Sequence, residues 1–262
     1  MDPTAKHKSA DLTSCVPLFD PTRLPLRGWC NGSREDPLTG LIAFPDFHSH
    51  LPREIAAALA AGTLVALAIG DVDGLKEHVE HANACDPHLF GHLAGNKVMA
   101  RLGAITREWF HQQPFTAGCA ATFGGDEVIV AAAVDDGAGF HRALGVLRDR
   151  LADALPTPVS FAFALIAPGH LPTDRSTRGW RHAFTDGLLA TVDRCLFAHK
   201  AARRTGHGAG VIAAVEPPSA ADRPGHAEAL LPLPSAGQVL HVVARPASIG
   251  GRPVLLLPCR GP

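Results

Sequence analysis

The sequence lacks an excess of charge of either sign, since 24 lysines and arginines nearly balance 25 aspartates and glutamates. Without a basic surface field, we expect no nucleic-acid partner. The longest apolar stretch, 55–69, is too short to cross a bilayer and is interrupted by Gly62. The first residues are polar and contain no apolar segment of the kind that signal peptides require. We therefore expect no membrane association and a cytoplasmic location.

The sequence also lacks any Cys-x-x-Cys pair, because its six cysteines are widely scattered. In a chain of this size, that spacing favours reduced structural thiols over a disulfide framework. Hydrophobic residues, in contrast, make up 46% of the 262 residues, which is enough for a sizeable core. We expect one domain at 36–216, an N-terminal extension at 1–35, and a linker with a C-terminal hairpin at 217–262.

Hydrophobic periodicity predicts strands that alternate with helices around one central hairpin. The expected helices are 47–61, a polar His-rich helix from Leu75, 95–110, 140–155 and 186–203. The expected strands are 63–69, 117–123, 127–134, 159–166, 211–215, and a terminal pair at 238–245 and 253–259. This order predicts an α/β (α+β) fold of sheet and helix layers. A Rossmann fold is not favoured, because no Gly-x-Gly-x-x-Gly follows the first strand.

Acidic residues follow the first long strand and occupy the turn of the predicted hairpin. Asp71 lies where the strand 63–69 ends, and Asp126 and Glu127 lie on the hairpin turn. If these strand ends are adjacent, the carboxylates provide the hard oxygen ligands that magnesium prefers. Gly124 and Gly125 carry no side chains, so a phosphate group can approach the backbone there. Gly-Gly-Asp-Glu taken alone is also consistent with an ordinary hairpin turn.

The order of several motifs resembles that of GGDEF domains, which make cyclic dinucleotides. The matching segments are Asp36–Leu41 (D-x-L-T-G-L), Asp71–Lys76 (D-x-D-x-F-K), Gly91–Asn96 (G-H-x-x-G-D), Gly124–Val128 (G-G-D-E-F) and Asp193–Arg204 (D-x-A-L-Y-x-A-K-x-x-G-R). The resemblance implies a palm, or nucleotidyl cyclase-like, domain. Its central sheet would be mixed but mainly antiparallel and flanked by helices, with the Gly-Gly-Asp-Glu hairpin in the middle.

The resemblance also implies roles for individual residues. Asp71, Asp126 and Glu127 would be catalytic and would hold Mg²⁺ or Mn²⁺ together with the Val72 carbonyl. The triphosphate would be bound by Lys76, Gly124, Gly125, Lys200 and Arg204. The implied reaction is attack of a 3′-hydroxyl on an α-phosphorus of GTP or ATP, with release of pyrophosphate and formation of a cyclic mono- or dinucleotide. Cyclic dinucleotide synthesis implies a homodimer, because two sites must face each other.

The positions that read the base in the family differ here. They fall on Val79 and Asn96, and a shift of register would bring in Asn83 instead of Val79. An amide both donates and accepts hydrogen bonds, so Asn96 suits adenine or another base as well as guanine. Two alternatives therefore stay open. One is a degenerate domain that binds a nucleotide or a protein partner without turnover, and the other is hydrolytic opening of the GTP ring on the same scaffold.

A histidine-rich stretch follows the first metal-binding motif. It contains His78, His81, Cys85, His88 and His92, whose spacing of three and four residues would align them on one helix face. Such a set is typical of zinc or another transition metal. Asp86-Pro87 would interrupt the helix, however, so solvated or structural histidines are the alternative interpretation.

Overall fold

The computed structural model describes residues 28–85, 93–124, 126–203, 210 and 212–217, together with two strands at 245–249 and 252–256. The helices are α1 (Phe44–Ala60), α2 (Leu75–Cys85), α3 (Leu93–Gln112), α4 (Gly137–Ala154) and α5 (Trp180–Arg203). The strands are β1 (Ile42–Ala43), β2 (Leu64–Val72), β3 (Ala117–Gly124), β4 (Glu127–Val134), β5 (Val159–Ile166), β6 (Ile212–Val215), β7 (Arg245–Ile249) and β8 (Arg252–Leu256). A 3₁₀ turn spans Pro168–His170. No helix in the described part of the chain is long and apolar enough to traverse a membrane.

Six strands form one mixed sheet in the order β1-β3-β4-β2-β5-β6. The four central strands pair antiparallel, and the short edge strands β1 and β6 pair parallel to their neighbours. Strands β7 and β8 pair with each other as a separate hairpin. The predicted fold class, a mainly antiparallel sheet flanked by helices with a central hairpin, is confirmed.

Two pairs of helices cover the sheet. Helices α1 and α5 pack against each other and against the sheet, and so do α3 and α4, while α2 packs on α3. The sequences of β2, β4 and β5 are nearly continuous apolar runs, because the residues of these strands are buried between the helices. Each large side chain removed from water there contributes roughly 1.5–3 kcal/mol. The largest fully buried side chains include Trp109, Phe47, Phe140, Phe161 and Phe163.

The turn at residues 36–40, before α1, packs closely against α3. The Asp36 side chain accepts hydrogen bonds from the backbone N–H groups of Leu38 (3.1 Å) and Thr39 (2.8 Å), as expected for an Asx turn. A Cβ on Gly103 would lie 2.2 Å from the Thr39 carbonyl oxygen, so α3 approaches the turn as closely as backbones allow. The buried guanidinium of Arg107 donates to the Gly40 carbonyl, and this contact ties the first motif to the core.

Strands β3 to β6 begin and end within one residue of the prediction, β2 continues three residues past its predicted end to Val72, and helix starts also differ. Helix α1 begins at Phe44, three residues before the prediction, because Pro45 suits the first turn and Asp46 favours its N-terminal dipole. Helix α5 begins at Trp180, six residues early. The first strand of the terminal hairpin begins at Arg245, and the predicted turn at 250–251 lies outside the described residues. The rest of its predicted first strand, 238–244, lies outside the described residues.

Residues 28–30 reach the sheet from the N-terminal side. Gly28 forms a parallel bridge with Gly118 of β3, and Trp29 and Cys30 are buried in the core. The predicted boundary between an extension and a domain at residue 36 stays a prediction.

Candidate active site

The sheet register brings the two predicted acidic segments together. At one end of the β2–β4 pair, Asp71 lies directly opposite Glu127. Opposed residues in an antiparallel pair have Cβ atoms about 5 Å apart, so these two carboxylates are neighbours. The Val72 N–H donates to the Asp126 carbonyl (3.2 Å), which fixes the hairpin turn beside the end of β2.

The hairpin turn is shaped by a bulge and by one buried hydroxyl. The β3–β4 register shifts between Thr122 and Gly124, so Phe123 is displaced and half of it is exposed. The Thr122 hydroxyl donates to the Glu127 carbonyl (3.1 Å) and accepts from the Gly124 N–H (3.3 Å). Gly124 has φ +102, a conformation that favours glycine, and a Cβ there would meet no atom within 4 Å. Space is therefore open beside this turn.

The ammonium of Lys200, on α5, lies among the acidic groups. It donates to Asp71 Oδ1 and lies 3.1 Å from Asp73 Oδ1 and 3.4 Å from the Val72 carbonyl oxygen. Asp73 also accepts a 2.6 Å hydrogen bond from the Ser160 hydroxyl. The Lys200 ammonium thus lies among oxygen atoms of Asp71, Val72 and Asp73 at the end of β2.

The concentration of carboxylates perturbs their protonation. Burial, followed by the negative charges of Asp71, Asp193 and Asp126, raises the pKa of Glu127 to about 7. Burial also raises the pKa of Asp71, and this effect exceeds the lowering by Lys200. For Lys200, burial lowers the pKa, but the hydrogen bonds and charges of Asp71 and Asp73 outweigh burial and raise it overall. Lys200 therefore stays charged, and a bound cation would favour the ionised form of Glu127.

The donor set fits a hard divalent cation. Carboxylate oxygens and an exposed carbonyl are magnesium ligands, and the Lys200 ammonium already contacts three such oxygens as a positive charge. Across the described ranges, however, no three His, Cys, Asp or Glu side chains are grouped closely enough to ligate one ion as they stand. Ligation therefore requires the acidic side chains to converge and Lys200 to move.

The predicted triphosphate ligands are only partly assembled. Lys200 lies at the acids, whereas Lys76 is exposed on α2 and lies 3.8 Å from Glu80. Gly124 lies on the open turn. Gly125 and Arg204 lie outside the described residues.

The predicted base-reading residues lie on α2 and α3. Val79 is half-buried, and its Cγ2 is 3.2 Å from where a Cβ on Gly95 would lie, so its methyl groups fill the space between the two helices. Asn96 is exposed on the first turn of α3, and Asn83 is half-buried on α2.

The histidine-rich stretch gives one relevant contact, between Cys85 Sγ and His81 Nε2 at 3.6 Å. His78 lies on the same helix, α2, and His88 and His92 lie outside the described residues. Within the part of the chain that is described, no cluster of three metal-ligating side chains forms there, so the second metal site stays a prediction.

Known proteins were compared with this chain by sequence and by structure. No family model matches the sequence, and no curated protein matches it. Solved structures do match. The GGDEF domain of DgcB from Caulobacter crescentus, solved with c-di-GMP, is 22% identical with a TM-score of 0.52, over 69% of this chain and 94% of that one. The GGDEF domain of PA1120 (TpbB or YfiN) from Pseudomonas aeruginosa is 24% identical with a TM-score of 0.50, over 68% and 94%.

The chain has the GGDEF-domain fold. The similarity at these identities establishes the fold, and the reaction has to be argued from the residues of the site. In this GGDEF fold, three of the five motifs quoted from the sequence fall at the end of β2, on the β3–β4 turn and on α5, where the acids and Lys200 meet.

Sequence reasoning missed a cavity of about 350 Å³ beside Glu127 in this GGDEF fold. Helices α1 and α5 form its walls, and its lining residues are Phe44, His48, Ile69, Phe123, Glu127, Ile129, Asp186, Leu189, Ala190 and Asp193. The ring centroids of Phe44 and Phe123 are 3.9 Å apart, and His48 Nε2 lies 2.6 Å from Asp186 Oδ1. Of these residues, Glu127 had a signal in the sequence as part of the acidic hairpin turn, and Asp193 as the first residue of the closing motif.

Proposed function

We propose that this protein is a magnesium-dependent nucleotidyl cyclase that converts a nucleoside triphosphate, GTP or ATP, into a cyclic nucleotide or dinucleotide and pyrophosphate. The observation that carries the proposal is the apposition of Asp71 and Glu127 across the β2–β4 pair, with Asp126 on the adjoining turn. Two like charges opposite each other destabilise a sheet, and a divalent cation bound beside the Lys200 ammonium would stabilise them further.

In this proposal, the site residues have different roles. Asp71, Asp126, Glu127 and the Val72 carbonyl would hold magnesium, which supplies charge neutralisation on the phosphate groups when bound. Lys200 would exchange its contact with Asp71 for a phosphate oxygen, since an ammonium binds either anion. The open backbone at Gly124 would admit the triphosphate. Catalysis of this kind consists of positioning and electrostatic stabilisation.

Glu127 is also suited to a role in proton transfer. Its pKa of about 7 lies close to neutral pH, where a carboxylate acts effectively as a general base. In this proposal it accepts the proton of the attacking 3′-hydroxyl, in addition to or instead of contacting the metal. The structure of DgcB with c-di-GMP supports a cyclic dinucleotide as the product class. That product would require two copies of this chain to face each other.

The proposal is tested by incubating the purified protein with each of the four nucleoside triphosphates and Mg²⁺. Pyrophosphate release and product mass are measured together. We expect pyrophosphate with at least one triphosphate and a cyclic product, and we expect Asp126→Asn to abolish both. Asp153→Asn, an exposed acid on α4, is the matched control and leaves both unchanged. Absence of pyrophosphate with every triphosphate, despite a folded protein, would contradict the proposal.

A second candidate is a nucleotide-binding domain without turnover. It is favoured by Val79, whose methyl groups pack against Gly95 and offer no hydrogen bond to a base, and by the Lys200 contact with Asp71. Calorimetry with non-hydrolysable GTP and ATP distinguishes the two. Binding without any pyrophosphate in the first assay supports the second candidate, whereas turnover excludes it.

A further inference from the structure

Two buried thiols that are distant in the sequence lie in contact. Cys30 Sγ and Cys119 Sγ are 3.6 Å apart, although 89 positions separate the residues. Cys30 is 3% exposed and Cys119 is fully buried, and both are free thiols. A sulfur–sulfur separation of this size is van der Waals contact, so a small movement would bring the atoms to bonding distance.

Backbone pairing holds the two cysteines in this register. Gly28 bridges Gly118 in parallel, and the Trp29 N–H donates to the Gly118 carbonyl (3.2 Å). Cys30 follows directly and adopts φ 58, a left-handed conformation that few residues other than glycine take. The contact is therefore built by the segment that enters the sheet, and it is independent of the acidic site.

We propose that Cys30 and Cys119 form a peroxide-sensitive thiol pair, which closes to an intramolecular disulfide that fastens residues 28–30 to β3. One thiol loses its proton, and the thiolate attacks a peroxide oxygen, which breaks the O–O bond and leaves a sulfenic acid. The departing hydroxide takes up a proton and leaves as water. The second thiol then attacks that sulfenic sulfur, forms the S–S bond and releases a second water molecule. Two thiols and one hydrogen peroxide thus give one disulfide and two water molecules.

The surroundings determine how quickly the pair reacts. Burial, together with the neighbouring Cys30 thiol, raises the pKa of Cys119 well above its ordinary value. Because the thiolate is the reactive form, the closed protein reacts slowly, and oxidation proceeds when the segment at residues 28–30 opens locally. Cys85, which is exposed, provides an internal reference for a thiol that peroxide reaches without opening.

Closure of the bond has a structural consequence. It would join the N-terminal segment covalently to the strand that leads to the Gly124 turn. Cross-linking residues so far apart in sequence restricts the unfolded chain strongly, so the oxidised protein is expected to melt about 10 °C higher than the reduced one.

In the test, the protein is treated with hydrogen peroxide, and the remaining thiols are blocked with N-ethylmaleimide in denaturant. The blocked protein is then digested with trypsin in the absence of reductant. We expect peptide 28–34 linked to peptide 108–142, lighter by two hydrogen atoms than the sum of the two and separated by dithiothreitol. The linked species should be absent from Cys30→Ala and should persist in Cys85→Ser. The rise in melting temperature should follow the same pattern.

Two results would overturn the proposal. One is full N-ethylmaleimide labelling of both Cys30 and Cys119 after peroxide treatment that oxidises Cys85. The other is linkage of either cysteine chiefly to a different one, which would show that the contact does not direct pairing. Because the first readout uses the unmodified chain, it does not depend on whether the alanine variant folds.

Discussion

The two ends of the β2–β4 ladder differ in what holds them together. At the first pair, Leu64 lies opposite Val134, and apolar residues continue along both strands. At the last pair, Asp71 lies opposite Glu127 and both are partly exposed. The apolar end is explained by burial alone. At the acidic end the Lys200 ammonium offsets part of the repulsion between the carboxylates, and in our proposal a divalent cation would offset the rest.

The largest effect is expected from Asp71→Asn at the acidic end. Loss of one carboxylate should weaken metal and phosphate stabilisation in the transition state and lower pyrophosphate release by about 1,000-fold. The measurement is steady-state turnover with the preferred triphosphate. Asp149→Asn, an exposed acid on α4 that contacts only its neighbour Arg148 in the described structure, is the control. Turnover within tenfold of the parent would show that the ladder end is not the active site.

The next largest effect is expected from Leu67→Ala in the apolar part of β2. This side chain is fully buried, so its truncation should lower the free energy of unfolding by about 3 kcal/mol. Urea denaturation measures the change. Turnover per folded molecule should remain near that of the parent. A loss of turnover as large as that of Asp71→Asn would mean that the two ends of the ladder are not separable.

Glu127→Gln should change how stability depends on pH. The folded pKa of Glu127, about 7, is above the ordinary glutamate pKa of 4.5. The folded state therefore binds the proton more tightly, and stability should fall as pH rises from about 4.5 to 7 and level off above 7. After allowance for solvent exposure, the loss is on the order of 1–2 kcal/mol.

The measurement is the melting temperature across this pH range with EDTA present, for the parent and the variant. The parent should lose more stability than Glu127→Gln over the range, and added Mg²⁺ should reduce the difference. Parallel curves for the two proteins would contradict the perturbed pKa.

The smallest effect is expected from Lys200→Met. Removal of the Lys200 ammonium takes away the positive charge that contacts Asp71 and Asp73. The free energy of unfolding in EDTA should therefore fall by about 1 kcal/mol. Mg²⁺ should restore most of this loss, because it replaces the missing charge. Lys97→Met, at an exposed position on α3, is the matched control. If the two variants behave alike in EDTA, the Lys200 ion pair contributes nothing to folding.

Much of the fold was predictable from local patterns. The strands β4 and β5 are apolar runs whose bounds match the prediction, and β2 is a similar run that continues past its predicted end at residue 69 to Val72. The short strand β1 was missed because two residues carry no periodicity, and its parallel pairing with β3 depends on how distant segments pack. The early start of α5 was missed although Trp180 and Phe184 have the i, i+4 spacing of a helix face and both pack against the core.

The candidate site was predictable to a similar extent. The sequence shows that Asp71 and Glu127 lie at the ends of two strands, but their pairing depends on β2 lying beside β4, which is a non-local contact. The position of Lys200 among those acids depends on how α5 crosses the sheet, and the contact between His48 and Asp186 depends on the packing of α1 against α5. Both contacts depend on tertiary packing, so no local sequence pattern indicates them.

The most direct test of the cation site is a crystal structure with Mn²⁺ and a non-hydrolysable nucleoside triphosphate, with anomalous scattering used to locate the metal. We predict an anomalous peak about 2.2 Å from carboxylate oxygens of Asp71 and Asp126, with Lys200 moved onto a phosphate oxygen. A structure with bound nucleotide but no peak there, and with Lys200 still on Asp71, would contradict the account.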